Sequence, residues 1–295
     1  MSQPQTHIAV RVDPGAAEDR SAMFRWSAEQ AGLDAWTRLP VMPSAVLTTL
    51  HDVLLRDLPE DDLLVFLDGS DSLCVRRFYE PGHFSRTLHQ AMENAAADVL
   101  LASCFFCHRA TARLVATCDR QFGRTLRNRY LSADGWVARV GALRRLVRRH
   151  GERSLYEARW WAEVVEVNWT NYGNQPRIVI DHACQVFQPL DEMVRELAPA
   201  PFSLINTRTG EHPVFLQKTG SAGLGPWMEM LWPSGPPSWE RFNGEYEKQF
   251  YDVVLDSGEV LAKLWPNGGM FVDSSGGDRT VPGERVVWMR PRLMS

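Results

Sequence analysis

The chain has 295 residues, of which 44% are hydrophobic, and a formal net charge of -4 at neutral pH. It is long enough for one large domain with an appendage, and its negative balance argues against a general nucleic-acid-binding protein. No apolar run approaches the roughly 18 residues of a membrane-spanning helix and the amino terminus lacks a signal-peptide pattern, so we expect a cytoplasmic protein without a membrane segment.

Strand and helix patterns alternate through the first quarter of the chain, judged by apolar residues that recur with the periods of a strand or a helix. In chain order they predict a strand at 7–12, a helix at Ala22–Ala31 ended by Gly32, a strand at 33–39, a helix at 43–58 and a buried strand at Leu63–Asp68. This alternation is typical of an α/β protein whose sheet is flanked by helices.

The alternation continues before the character of the chain changes near residue 226. The predicted elements are a helix at 83–97, a strand at 98–103, a helix or loop at 110–120, a short strand from Tyr130, helices at 137–147 and 153–167, and strands at 177–181 and 214–216. Four short strands then follow at Phe250–Leu255, 260–265, 270–273 and 285–289, separated by turn residues. We therefore expect an α/β unit at 1–225 and a small β-rich C-terminal extension at 226–295.

Two carboxylates follow the most apolar strand of the chain. Leu63–Asp68 is continuously apolar until Asp68, and Asp71 lies in the turn directly after it. Ligands of open α/β sheets bind outside the carboxyl ends of the strands, and carboxylate oxygens suit a hard cation. Asp-Gly-Ser-Asp is also ordinary turn chemistry, so a metal site and a simple tight turn both stay open on these residues alone.

Five segments carry a further pattern: 66–71 (FLDGSD), 97–103 (ADVLLAS), 129–138 (RYLSADGWVA), 180–188 (IDHACQVFQ) and 213–220 (PVFLQKTG). In this order they resemble the glycosyltransferase domain of procollagen lysyl hydroxylases and related collagen glycosyltransferases. The clearest match is 180–188, which is similar to that family's Leu-Asp-His-x-x-x-Ile-Phe-Gln segment. The first segment resembles its Phe-x-Asp-x-Tyr-Asp metal motif. The resemblance covers roughly residues 7–225.

This resemblance implies a GT-A-like fold, a mixed α/β sheet flanked by helices, in which a UDP-sugar lies over the sheet edge. It also implies a divalent cation, usually Mn2+, between the carboxylates and the diphosphate, and transfer of the sugar to a hydroxyl acceptor. By this resemblance Asp68 and Asp71 are metal ligands. Gln217 stands where the family has a metal-binding His, and its amide oxygen can complete the shell without the affinity of imidazole.

The same comparison supplies the other candidate residues. Glu157, the one carboxylate left of the family's acidic pair, and Asp134, in a segment that is Ser-Gly-Gly in the family, are candidates for orienting the acceptor or stabilising positive charge on the sugar. A solvated helix residue is an equal alternative for Glu157. A core residue is the alternative for Trp36, and a surface residue is the alternative for Arg38 and for Lys218. The donor-binding candidates are Trp36, Arg38, Gly69, Ser70, Lys218 and Gly220.

The departures from the family pattern leave a second function open. The metal-binding His, one residue of the acidic pair and a Trp-Gly-Gly loop are missing, so the alternative is a degenerate domain that binds a sugar or a protein without turnover. For Asp181 and His182 we favour a structural role, in which buried polar groups hold loops together. The expected partners are a nucleotide sugar and an unknown hydroxyl-bearing acceptor, and not nucleic acid; a homo-oligomer is left open.

Overall fold

The structure, a computed structural model, describes most of the first 218 residues and separate strands of the last 46. The described residues are 4–12, 21–33, 37–40, 58–104, 115–116, 118–119, 128–150, 155, 158–170, 176–190, 197–200, 203–218, 224, 227, 231, 250–255, 260–264, 271–272 and 286–292. The predicted helix at 43–58 and most of the segment 110–120 lie outside them. None of the described helices is long and apolar enough to cross a membrane.

A six-stranded mixed sheet forms the centre of the molecule. Its strands are β1 (Thr6–Val12), β2 (Thr37–Pro40), β3 (Leu63–Asp68), β5 (Val99–Cys104), β6 (Tyr130–Arg139) and β7 (Ile178–Ile180), with β4 (Ser72–Cys74) in a second sheet. The order is β2-β1-β3-β6-β5-β7. β6 is antiparallel to both of its neighbours, whereas the other pairs are parallel.

Helices cover both faces of this sheet, and alternate residues of β3 show why. Leu64 and Phe66 pack on one face with α3 (Val140–His150) and α4 (Ala158–Thr170). Leu63, Val65 and Leu67 pack on the other face with α1 (Ala22–Ala31) and α2 (His83–Asn94). Because both faces are covered, every residue of β3 is buried and the strand has the continuous apolar sequence that predicted it. The predicted α/β class, with a mixed sheet flanked by helices, is confirmed.

The end of α1 follows from one glycine. Gly32 has a left-handed backbone with φ of 80°. Its N–H donates to the carbonyl of Glu29, and the N–H of Leu33 donates to that of Ala28. This is the Schellman arrangement, which satisfies carbonyls at a helix end and favours glycine because no Cβ opposes the positive φ. The predicted bounds of this helix are confirmed.

The predicted helix at 137–147 is wrong at its start. Residues up to Arg139 belong to β6, where Val137 pairs with Val65 of β3 on one side and with Leu100 of β5 on the other. Only from Val140 does the chain turn into α3. The apolar run is buried on both faces of the sheet, so its spacing does not distinguish a strand from a helix.

Three smaller sheets complete the described part of the chain. β4 joins β11 (Phe215–Lys218) and β8 (Phe187–Leu190) in the order β4-β11-β8, and β9 (Leu197–Ala200) pairs with β10 (Ser203–Asn206). Near the carboxyl end, β12 (Phe250–Leu255), β13 (Val260–Leu264), β14 (Phe271–Val272) and β15 (Val286–Arg292) form an antiparallel sheet in the order β14-β13-β12-β15. The four C-terminal strands are therefore confirmed, while the division at residue 225 stays a prediction.

Candidate functional site

The candidate site lies where the order of the central sheet reverses. From β1 the chain passes to β2 on one side and then returns to β3 on the other. The carboxyl ends of β1 and β3 lie side by side, with Arg11 of β1 opposite Asp68 of β3. A crevice at such a switch point is the usual ligand-binding place of an open α/β sheet.

Gly69 allows the turn after β3 to fold tightly against β1. Its N–H donates to the carbonyl of Arg11 at 2.9 Å. A Cβ on Gly69 would lie 2.5 Å from Cγ1 of Val10 and 2.9 Å from the carbonyl oxygen of Arg11. Both distances are too short for real contacts, so the turn that carries the two aspartates requires glycine at this place.

Asp68 is buried and both of its carboxylate oxygens are engaged. Oδ1 accepts hydrogen bonds from the backbone N–H of Ser70 at 3.1 Å and from its hydroxyl at 2.7 Å. Oδ2 accepts a short, charged hydrogen bond from the Arg11 guanidinium. The ion pair joins the ends of two neighbouring strands and neutralises a carboxylate that has little access to water.

Asp71 is the second carboxylate of the turn. Burial is the largest cause that raises its pKa from 3.8 to about 6, followed by the negative charge of Asp68. Lys218 and Arg11 lower this pKa, and Asp134 raises it. The backbone N–H of Lys218 donates to the Asp71 carbonyl at 2.7 Å, which ties the turn to β11. Two further carboxylates and two cationic side chains are therefore close enough to Asp71 for their charges to shift its pKa.

A bulge in β6 places Asp134 near these groups. Leu101 of β5 pairs with Trp136, but the next residue of β5, Ala102, pairs with Ser132, so extra residues of β6 lie between these pairs. Bulges of this kind re-aim side chains and are frequent beside active sites. The hydroxyl of Ser132 donates to Oδ2 of Asp134 at 2.9 Å and holds the carboxylate in place.

Gln217 reaches the site from β11, where it lies opposite Ser72. It is 1% exposed. Its Nε2 atom is buried without a hydrogen-bond partner in the described part of the chain. A Cβ on Gly135 would stand 2.1 Å from this atom, so the absence of a side chain at residue 135 makes room for the carboxamide. A half-turn of the carboxamide would present its oxygen at the same place.

The structure brings together seven of the predicted site residues, which are Asp68, Gly69, Ser70, Asp71, Asp134, Gln217 and Lys218. Trp36, Glu157 and Gly220 lie outside the described residues. Arg38 pairs with Val10 through the backbone of β2, and its side chain is outside the described part. Sequence reasoning missed Arg11, although a charged residue near the end of the first strand was the available signal.

The donor set suits a hard divalent cation in its chemistry but does not form a finished cage. Carboxylates and a carboxamide oxygen are ligands for such a cation. A positive charge would also offset the repulsion from Asp68 and Asp134, which adds to burial in raising the pKa of Asp71. The Nε2 atom of Gln217, which has no hydrogen-bond partner among the described residues, also leaves room for a ligand. Among the described residues, however, no group of at least three His, Cys, Asp or Glu side chains stands ready to hold a metal ion.

The Asp181 segment, in contrast, has a structural arrangement. The Asp181 carboxylate accepts hydrogen bonds from the backbone N–H groups of Gln185, Val186 and Phe187 at 2.8 to 2.9 Å. Nδ1 of His182 donates to the carbonyl of Asn128 at 2.8 Å, and burial lowers the pKa of this imidazole although that hydrogen bond raises it. These contacts hold the connection between β7 and β8 against the start of β6, in keeping with the structural role expected for the pair.

Comparisons with known proteins give only distant likenesses. No family model matches the chain, and no curated protein matches it significantly. A solved structure of the galactosyltransferase LgtC in complex with donor and acceptor sugar analogs is similar over 81% of this chain and 94% of that one, with 14% identity and a TM-score of 0.40. A structure of an active site mutant of LgtC covers the same shares with 13% identity and a TM-score of 0.36. Both scores lie below 0.5, so we base the function on this chain's own residues.

Proposed function

We propose that this protein is a GT-A-like glycosyltransferase that moves a sugar from a UDP-sugar to a hydroxyl acceptor with a divalent cation. The observation that carries this proposal is the convergence of Asp68, Asp71, Asp134, Gln217 and Lys218 at the carboxyl end of β3, although they come from three separate segments. Together these residues offer hard oxygen ligands, a fixed carboxylate and a cationic side chain in one crevice.

Asp68 and Asp71 would hold the cation, and the carboxamide oxygen of Gln217 would complete or approach its shell. When bound, a divalent cation stabilises the negative charge that accumulates on a diphosphate leaving group. Lys218, whose charge already acts on Asp71, would add a second positive charge on the phosphate side. Gly69 and Ser70 shape the turn that keeps both aspartates at the sheet edge.

Asp134 would act on the sugar side of the reaction. Its carboxylate is held by Ser132 and belongs to a bulge, so its position is set by the sheet and not by a mobile side chain. A carboxylate placed there can orient an acceptor hydroxyl or stabilise the positive charge that develops on the sugar ring.

Calorimetry with UDP, in the presence and absence of Mn2+, tests the proposal. We expect UDP to bind in a Mn2+-dependent manner and Asp71→Asn to lose this binding. Asp61→Asn is the matched control, because Asp61 is exposed and lies just before β3, at the opposite end of the strand. A folded protein that binds neither UDP nor Mn2+ would refute a UDP-sugar as the donor. If UDP binds, incubation with UDP-sugars should release UDP through transfer or hydrolysis.

A donor-binding protein without turnover is the second candidate function. The observation that favours it is the ion pair between Arg11 and Asp68, which occupies an oxygen that the cation would need. Binding of UDP that does not depend on Mn2+, together with no release of UDP from any UDP-sugar tested, would support this candidate over an active transferase.

A further inference from the structure

Arg11 contacts the aspartate turn directly, with its guanidinium at the carboxylate of Asp68. Its Cα lies in register with that of Asp68, and its guanidinium bonds Oδ2 of that residue. The Arg11 side chain is 28% exposed, whereas that of Asp68 is 5% exposed. The arginine is therefore the more exposed partner of this ion pair, and the carboxylate is the buried one.

This contact opposes binding of a cation to the free protein. Oδ1 of Asp68 is engaged by Ser70, and Oδ2 is engaged by Arg11. A cation that binds Asp68 must displace the guanidinium or lie beside its positive charge. Removal of Arg11 from a buried carboxylate is costly unless another positive charge takes its place and Arg11 finds another anion. A diphosphate provides such an anion, because a guanidinium fork matches phosphate oxygens well.

We propose that Arg11 is a donor-binding residue that exchanges partners, pairing with Asp68 in the free protein and with the donor diphosphate in the loaded one. This inference rests on the proposed function. Cation and nucleotide would then bind cooperatively, because Arg11 would leave Asp68 to pair with the nucleotide and Asp68 would be free to hold the cation. Thermodynamic linkage requires that each ligand tightens the other by the same factor.

Titration of Mn2+, followed by the electron paramagnetic resonance signal of the free ion, measures this coupling with and without UDP. In the wild type we expect UDP to tighten Mn2+ binding by about 10-fold or more. Arg11→Gln should bind Mn2+ alone about 10-fold more tightly than the wild type, because Asp68 is open, and should lose most of the effect of UDP. Arg159→Gln is the matched control: this side chain is 81% exposed and pairs with Glu163 along its own helix.

A second variant keeps the inference testable if Arg11→Gln does not fold. Arg11→Lys retains the charge beside Asp68 but lacks the fork that matches a phosphate. Mn2+ binding without UDP should therefore stay close to that of the wild type, and the tightening by UDP should be smaller.

The outcomes separate this inference from the proposed function. If the wild type binds both ligands independently, or if Arg11→Gln leaves Mn2+ binding without UDP unchanged or weaker, the exchange of partners is refuted while the transferase proposal stands. If the folded wild type binds neither ligand, both are refuted.

Discussion

Gly135→Ala tests whether the carboxamide of Gln217 is a fitted part of the site. The added Cβ would stand 2.1 Å from Nε2, 2.7 Å from Cδ and 2.9 Å from Oε1 of Gln217. Ordinary carbon contacts need about 3.5 Å, so the carboxamide must withdraw by about 1 Å or more. Its room to withdraw is small, because Gln217 lies buried in the middle strand of the sheet β4-β11-β8.

Overpacking of this kind costs about 1–3 kcal/mol in the free energy of unfolding. We expect urea unfolding of Gly135→Ala to show a loss in this range. In a Gln217→Ala background the same substitution should lower the free energy of unfolding by at least about 1 kcal/mol less, because the side chain that the new Cβ would strike has been removed. Calorimetry should also show that Gly135→Ala weakens Mn2+-dependent binding of UDP by about 10-fold, because it displaces a group of the proposed cation site.

Additivity of the two substitutions within about 0.5 kcal/mol would refute the contact between Gly135 and Gln217. Gly210→Ala is the control for the cycle. A Cβ at residue 210 meets nothing within 4 Å, although its φ of 76° carries a strain of its own. Its cost should therefore be the same with and without Gln217.

Three further predictions follow from buried groups. Gly69→Ala should lower the free energy of unfolding by more than about 2 kcal/mol in urea, because its Cβ would strike the backbone of Arg11, and should abolish UDP binding. Burial raises the pKa of Asp181 from 3.8 to about 6 although three N–H donors lower it, so the stabilisation from its proton is present below about pH 4 and lost as the pH rises through about 6. Over that interval the unfolding free energy of the wild type, measured relative to that of Asp181→Asn, should fall by about 3 kcal/mol. A rise would contradict the stated direction of the pKa shift. Burial also raises the pKa of the Cys74 thiol to about 12, so iodoacetamide should leave this residue unmodified in the native protein at about pH 8 and modify it after unfolding, as mass spectrometry of the peptide can show.

Part of the candidate site was predictable because its residues are local in sequence. Asp68 and Asp71 stand at the end of a continuous apolar stretch. Such a stretch predicts a buried strand, and the carboxylates that end it are then expected at the edge of the sheet. The strand β3 and the helix α1 were likewise predictable, because burial and the glycine cap leave a pattern in consecutive residues.

The arrangement of the strands was not predictable in the same way. The sequence of β6 resembles the start of a helix, and only its pairing with β3 and β5 makes it a strand that is antiparallel to both. The bulge that places Asp134 lies where the register between β5 and β6 shifts after Leu101. Pairing between distant segments leaves no periodic pattern in either of them.

The sequence by itself determined the alternation of elements, the α/β class and the two aspartates at a strand end, since each depends on neighbouring residues and the period of burial. The tertiary structure alone decided that Arg11 pairs with Asp68 and that Gln217 fills the space left by Gly135. It also decided that the backbone of Lys218 joins β11 to the aspartate turn. These contacts join residues that are between 57 and 147 positions apart in the chain, measured from 11 to 68 and from 71 to 218. Only the pairing of distant strands and the packing of the sheets bring such groups together. The burial of apolar surface, and not any local preference, determines which strand ends meet.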